Sequence, residues 1–124
     1  MEWKSSFLSD QQIVVIQTYG IADDAGSLEM AKNISRVMMQ YKAARCLIDH
    51  SAIISVSGSS VEIYYRPQGL TETGIPSEVK IAEVVRPVHK EHFGFLETVF
   101  RNRGFDFRVF DDRESAIQWL INKP

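Results

Sequence analysis

Ile13, Val14, Val15 and Ile16 form the first strong pattern in the chain, a β-branched run that continues through Gln17, Thr18 and Tyr19 to Gly20. Such side chains fit a pleated surface, so the run predicts a strand. Before it, Trp3 to Leu8 mixes polar and apolar residues, and Ser9, Asp10, Gln11 and Gln12 can turn that segment back as an antiparallel N-terminal hairpin. After Gly20 the period changes: Leu28, Ala31, Ile34, Val37, Met38 and Tyr41 recur at helical spacing. Asp23 or Asp24 stands where a carboxylate accepts from the first helical N–H groups, so a helix is predicted over 24–41.

AARCLID, with a short apolar centre between polar ends, predicts a central strand ending at Asp49. A strand, helix and strand in succession read as a right-handed parallel crossover. From Ser55 to Gly69 the pattern is ambiguous: VEIYY at 61–65 fits a strand, or a helix capped by Ser57 or Ser59 and ended by Pro67 and Gly69. The helix is preferred. Arg66 to Glu78 contains Pro67, Pro76 and two glycines with neither period, and predicts an exposed connection. Lys80 to Val85 restores strand character, and Pro87 stops it. Phe93, Leu96, Val99 and Phe100 then form a helical stripe, Gly104 ends it, and FDFRVF makes a last strand. Asp111 and Glu114 have capping-box spacing before a final helix carrying Ala116, Ile117, Trp119 and Leu120. The fold class is α/β: one domain over 1–124, a mixed sheet flanked by helices.

Length agrees with that reading. A chain of 124 residues hides roughly 65% of its extended surface, enough for one core and not two. Fourteen Lys and Arg against sixteen Asp and Glu leave a net charge of -2, which supplies no field for nucleic acid or acidic membranes. No apolar run approaches the roughly 20 residues of a membrane span, and MEWKSSFLSD has no secretory pattern, so a cytoplasmic location is expected. Cys46 is the single cysteine and has apolar neighbours; a buried structural thiol is expected rather than a reactive one.

Candidate chemistry is sparse. YGIADDAG lacks the three-glycine spacing of a dinucleotide site and brings two carboxylates where a pyrophosphate would sit, and no cofactor is implied. His89 and His92 share a helical face, but two imidazoles leave a zinc site incomplete unless Asp49 or His50 joins them. Asp49 and His50 would suit a small hydrolase, yet adjacent strand residues point to opposite faces and no activated nucleophile is placed. Tyr64, Tyr65, Phe93, Phe95 and Phe100 either pack the core or line an apolar pocket, for which Tyr64, Tyr65, Phe93 and Phe100 are the candidates. Arg101, Arg103 and Arg108 are diluted by Asp106, Asp111 and Asp112, and read as a solvated helix end.

VVIQTYG before the first helix, RCLID, KIAEVV and FRVFDDRESAIQWL, in that order over most of the chain, resemble the SpoIIAA-like family of small STAS and SEC14-type domains. The resemblance implies a mixed sheet flanked by helices, regulatory or binding roles and, in some relatives, dimers. In a related anti-sigma-factor antagonist an Asp ends the central strand and a nearby Ser-Ser-Gly opens a helix, its first serine receiving phosphate. With Asp49 as the landmark, that position falls on Gly58, flanked by Ser57, Ser59 and Ser60. Phosphate on one of these serines would change a docking face, but SVSGSS also reads as an ordinary capping turn.

The reading that unites these features is a non-catalytic regulatory or protein-interaction module, with a protein partner or a homodimer. Asp49, Ser57, Gly58, Ser59 and Ser60 form its candidate interaction or phosphorylation region. The alternatives are a carrier of a small apolar or lipid-like ligand, and a small hydrolase at Asp49 and His50.

Overall fold

The β-branched run anticipated from the sequence becomes the strand that organises the molecule in the computed structural model, which describes residues 1–76 and 78–122. Strand β2 (Ile13–Ala22) pairs antiparallel with β1 (Glu2–Leu8), the expected hairpin. On its other side it pairs in parallel with β3 (Arg45–Asp49) through Ile13 to Gln17. Its far end, Gly20 to Ala22, runs parallel to a short β4 (Ile53–Val56) after a register shift at Gly20 and Ile21. β5 (Lys80–Val84) joins β3, and β6 (Asp106–Phe110) joins β5, both in parallel. The order is therefore β1-β2-β3-β5-β6, with β4 added to β2.

Among the described residues four α-helices cover this sheet unevenly: α1 (Asp24–Tyr41), α2 (Ser60–Glu72), α3 (Lys90–Asn102) and α4 (Arg113–Ile121). Successive strand residues face opposite sides. Val14, Ile16, Cys46, Ile48, Ile81 and Phe107 pack beneath α1, α2 and α3, with Met30, Ile34, Ile63, Leu70, Phe93, Leu96 and Phe100 above them. Ile13, Val15, Leu47, Ala82 and Val84 pack beneath α4 alone, against Ala116 and Leu120. One face thus carries a three-helix layer and the other a single short helix.

The 24–41 helix, the helix at 61–65 and the strand after Val79 form as the residue pattern predicts. Asp23 is the N-cap of α1, its carboxylate accepting from Gly26 N. One strand was not anticipated and two local expectations are corrected. β4 is too short to show a period and exists because the end of β2 offers it unpaired backbone. α2 runs through Pro67 and Gly69 instead of ending there, so the connection after it begins only at Thr73; Ser77 within that connection lies outside the described residues. Pro67 has no N–H for the carbonyl four residues back, but its ring is fully buried, and that packing offsets the missing bond. The cap of α4 is Asp112, which accepts from Ser115 N at 2.7 Å, not Asp111 with Glu114.

Among the described residues no helix is long and apolar enough to cross a membrane.

Candidate functional site

Asp49 and His50 are neighbours at the end of β3, and the pleat sends them to opposite faces of the sheet. On the α4 side, Asp49 Oδ2 accepts from Arg113 Nη2 at 2.8 Å and Nε at 3.1 Å, while Oδ1 accepts from Ser51 N at 2.9 Å. Arg113 also donates to Gln17 Oε1, and Gln17 Nε2 donates to the Asp49 carbonyl. Burial alone would raise the Asp49 carboxyl; the Ser51 hydrogen bonds and the Arg113 guanidinium outweigh it and hold the group below the ordinary carboxylate range. This cluster is closed, each partner already engaged.

His50 enters the opposite layer. Its Nδ1 lies 2.7 Å from Thr18 Oγ1 and its Nε2 lies 3.2 Å from Glu83 Oε2, while its ring stacks on Phe93 with centroids 4.6 Å apart. The Thr18 hydroxyl donates to the Asp49 carbonyl at 3.1 Å, tying the two faces at one backbone atom. Thr18, His50 and Glu83 superficially form a nucleophile, base and acid row. Thr18 is wholly inaccessible and stands outside the cavity wall, so its hydroxyl meets no substrate. Asp49 and His50 make no acid–base pair, since each faces its own layer.

Beside His50 opens a cavity of about 350 Å³ between α1, α2, α3 and the sheet. That is at the lower end of small-molecule sites, which hold roughly 300–1,000 Å³. Its floor is Ile48, His50, Ile81, Glu83 and Phe107, and Phe93, Leu96 and Phe100 form the α3 wall. Leu28, Val61 and Tyr65, each substantially exposed, line its mouth. Of the anticipated pocket residues, Tyr65, Phe93 and Phe100 line this space; Tyr64 does not, and instead meets Tyr65 edge-on and lies under Arg103.

The cavity wall also carries polar atoms that lack hydrogen bonds among the described residues. Glu83 Oε1 is one, on a side chain only 3% exposed; Arg66 Nε and Nη2 are others, with Asp24 Oδ1 standing 3.6 Å from Nε. An unpartnered buried polar atom costs free energy unless something else satisfies it. His89 Nδ1 and His92 Nε2, close by, are likewise unpartnered. Burial and the Arg66 guanidinium push His92 down against the pull of Glu83, with His50 and His89 adding to the downward push, so the imidazole is neutral at pH 7. No three His, Cys, Asp or Glu side chains among the described residues converge to hold a metal. Cys46 is buried, and desolvation, then the charge of Glu83, pushes its thiol well up, which fits a structural role.

The serine turn lies near the same mouth. Ser57 N donates to the Ala22 carbonyl, Ser59 caps α2 in a reciprocal box with Glu62, and Ser60 is the first helical residue. Gly58 has φ of 118°, and a Cβ there would come within 3.2 Å of Arg66 Nη2. A serine at this position would be strained and crowded, which accounts for the glycine where the resemblance calls for the phosphate acceptor.

Glu83 and Arg66 are the residues the sequence pattern did not single out. Glu83 had a signal: one carboxylate inside KIAEVV, a strand otherwise apolar from Ile81 to Val85. Arg66 had none, because its burial depends on α2 continuing past it.

No known family model matches the sequence, and no curated protein matches it. Solved structures do match in shape. An anti-sigma factor antagonist from Mycobacterium paratuberculosis superposes with a TM-score of 0.62 at 15% identity, covering 98% of this chain and 96% of that one. An uncharacterized DUF3478-family protein with a SpoIIAA-like fold, from Shewanella loihica, gives 0.61 at 16% identity over 96% and 92%. The anti-sigma factor antagonist SpoIIAA in its unphosphorylated form gives 0.54 at 16% identity over 92% of each chain. The chain therefore has the SpoIIAA-like, STAS-type fold that the resemblance implied.

Proposed function

We propose that this protein is a non-catalytic regulatory module whose input is a small, largely apolar molecule held between α1, α2, α3 and the sheet. The observation that carries the reading is the cavity of about 350 Å³ itself, walled by apolar side chains yet lined by Glu83 and Arg66, whose Oε1, Nε and Nη2 make no hydrogen bond among the described residues. A core that merely packed would close on such space, because interiors approach crystal density and orphaned polar atoms are costly. The candidates for chemistry are inaccessible or already paired: Thr18 is buried, Cys46 is an inert thiol and Asp49 is engaged by Arg113. Occupancy would be reported through α2, which forms one wall of the cavity and carries the serine turn at its N-terminus.

Native mass spectrometry of the protein purified gently from its own cells is expected to reveal a retained non-covalent mass. Ala31→Trp, which pushes an indole into the cavity from α1, should lose that mass while remaining folded. An unliganded protein that also binds nothing from a cell extract would defeat the reading.

A second reading, docking of a protein partner or of a second copy on α2, is favoured by one separate observation. Ile54, Val61, Tyr64 and Tyr65 are exposed apolar residues next to Ser57 to Ser60. The same-fold antagonists, one of them solved in phosphorylated and unphosphorylated forms, supply a precedent for a partner-binding role. Affinity capture from native extract with phosphorylation mapping, and sedimentation of the purified chain, test it; a monomer with neither partner nor modified serine argues against it.

A further inference from the structure

We infer that the cavity selects an apolar alcohol, phenol or amine over a carboxylic acid or phosphate ester, because the polar atom left open on its floor is an acceptor, Glu83 Oε1, and its carboxylates outnumber its one guanidinium, Arg66. The inference rests on the small-molecule reading and adds the chemistry of the ligand.

Glu83 Oε2 is committed to His50 Nε2 at 3.2 Å, and His50 is held from its other nitrogen by Thr18. One proton lies in the Nε2···Oε2 contact whichever partner owns it, so Oε1 remains with lone pairs and no donor. The carboxylate is anchored in one orientation by the stacked His50 and Phe93 rings, which makes Oε1 a fixed acceptor rather than a mobile one. Around it the wall is apolar: Ile48, Ile81, Phe93, Leu96 and Phe100. A ligand with an apolar body and one O–H or N–H satisfies the wall and the orphan oxygen together, which water does not.

Charge sets the other half of the selection. The ionisable side chains lining the space, besides His50, are Asp24, Glu62 and Glu83 against Arg66 alone. Asp24 at 3.6 Å from Nε offsets the charge of Arg66, although Arg66 Nε and Nη2 make no hydrogen bond among the described residues. An anionic head at Arg66 would sit beside Asp24 and Glu62 on the α1 and α2 walls, and one at the floor would face Glu83, so either placement sets like charges together in a poorly hydrated space. A neutral or cationic head meets no such penalty.

The test is a two-dimensional ¹H–¹⁵N NMR titration of the whole chain with three ligands on one skeleton: naphthalene, 2-naphthol and 2-naphthoate. The expected order is 2-naphthol about ten-fold tighter than naphthalene, the gain of one hydrogen bond to a buried oxygen that otherwise has none, with 2-naphthoate weakest. In Glu83→Leu the advantage of naphthol should shrink to near one-fold while naphthalene still binds; Glu83→Gln, which keeps an oxygen acceptor, should retain it. Equal affinities for naphthol and naphthalene, or naphthoate binding tightest, overturn the inference and leave the cavity reading standing. Unmoved amide signals at Ile34, Ile48 and Leu96 with all three compounds overturn the cavity reading itself. The ranking on the unaltered protein decides the matter even if Glu83→Leu does not fold.

Discussion

Asp49 and Glu83 are both buried carboxylates on neighbouring strands, and they are treated in opposite ways. Asp49 faces α4, where Arg113, Ser51 and Gln17 complete a closed polar cluster. Glu83 faces the three-helix layer, where one oxygen meets His50 and the other meets nothing described. The difference lies in how each face is covered. α4 is a single short helix whose first residue, Arg113, reaches the strand end, whereas α1, α2 and α3 meet over the sheet without filling the space between them. A satisfied carboxylate contributes to stability, and an unsatisfied one at a cavity floor is available for recognition.

The largest expected effect tests the cavity side. Phe93 stacks on His50 and is nearly fully buried, so Phe93→Ala should cost about 3–5 kcal/mol in urea unfolding and enlarge the cavity. A loss below about 1 kcal/mol would mean that the layer above Glu83 collapses freely and that no fixed cavity exists.

Asp49→Ala should cost about 2 kcal/mol, the penalty for stranding the hydrogen bonds that Ser51 and Arg113 direct at it, without altering ligand binding across the sheet. Its pH dependence has a definite sign. The folded carboxyl titrates below its unfolded value of about 3.9, so the stabilisation is fully present above that value and is lost as pH falls through the lower folded one. Urea midpoints of the wild type and Asp49→Asn, measured from pH 6 downward, should therefore converge in acid; parallel curves would show that Asp49 is not held by charge.

Ser59→Ala removes one half of the α2 capping box and should lower stability by about 1 kcal/mol in thermal melts. Ligand binding should fall with it if α2 forms a working wall of the cavity. The smallest change is expected for the paired replacement of His50→Leu with Glu83→Leu, within about 1 kcal/mol of wild type, since a buried polar pair exchanged as a whole for apolar volume is often neutral. A loss comparable to that of Asp49→Ala would erase the distinction drawn between the two carboxylates.

Much of the scaffold was legible in the residues. The run from Ile13, the stripe of Ile34, Val37 and Met38, and the strand from Lys80 each state their period over enough residues to be read locally. β4 was not legible, because four residues carry no period and its reason for existing is the unpaired backbone of β2. Nor was the length of α2: Pro67 and Gly69 are stop signals when read along the chain, and only burial of the proline ring against the layer beneath overrides them. The candidate site was half legible. Phe93 and Phe100 were visible as a helical stripe and Tyr65 as an aromatic neighbour, while Tyr64 turned out to face Arg103 instead.

By itself, the sequence determined the layered α/β architecture, the opposite facing of Asp49 and His50, and a glycine, not a serine, at position 58. Those follow from periodicity, pleat and chain order, which are local. Tertiary structure alone decided that three helices meet over one face without closing it, that Arg66 is carried into the wall by the extension of α2, and that Glu83 keeps one oxygen unpaired. These depend on how residues distant in sequence divide a shared volume, and no local pattern records that volume.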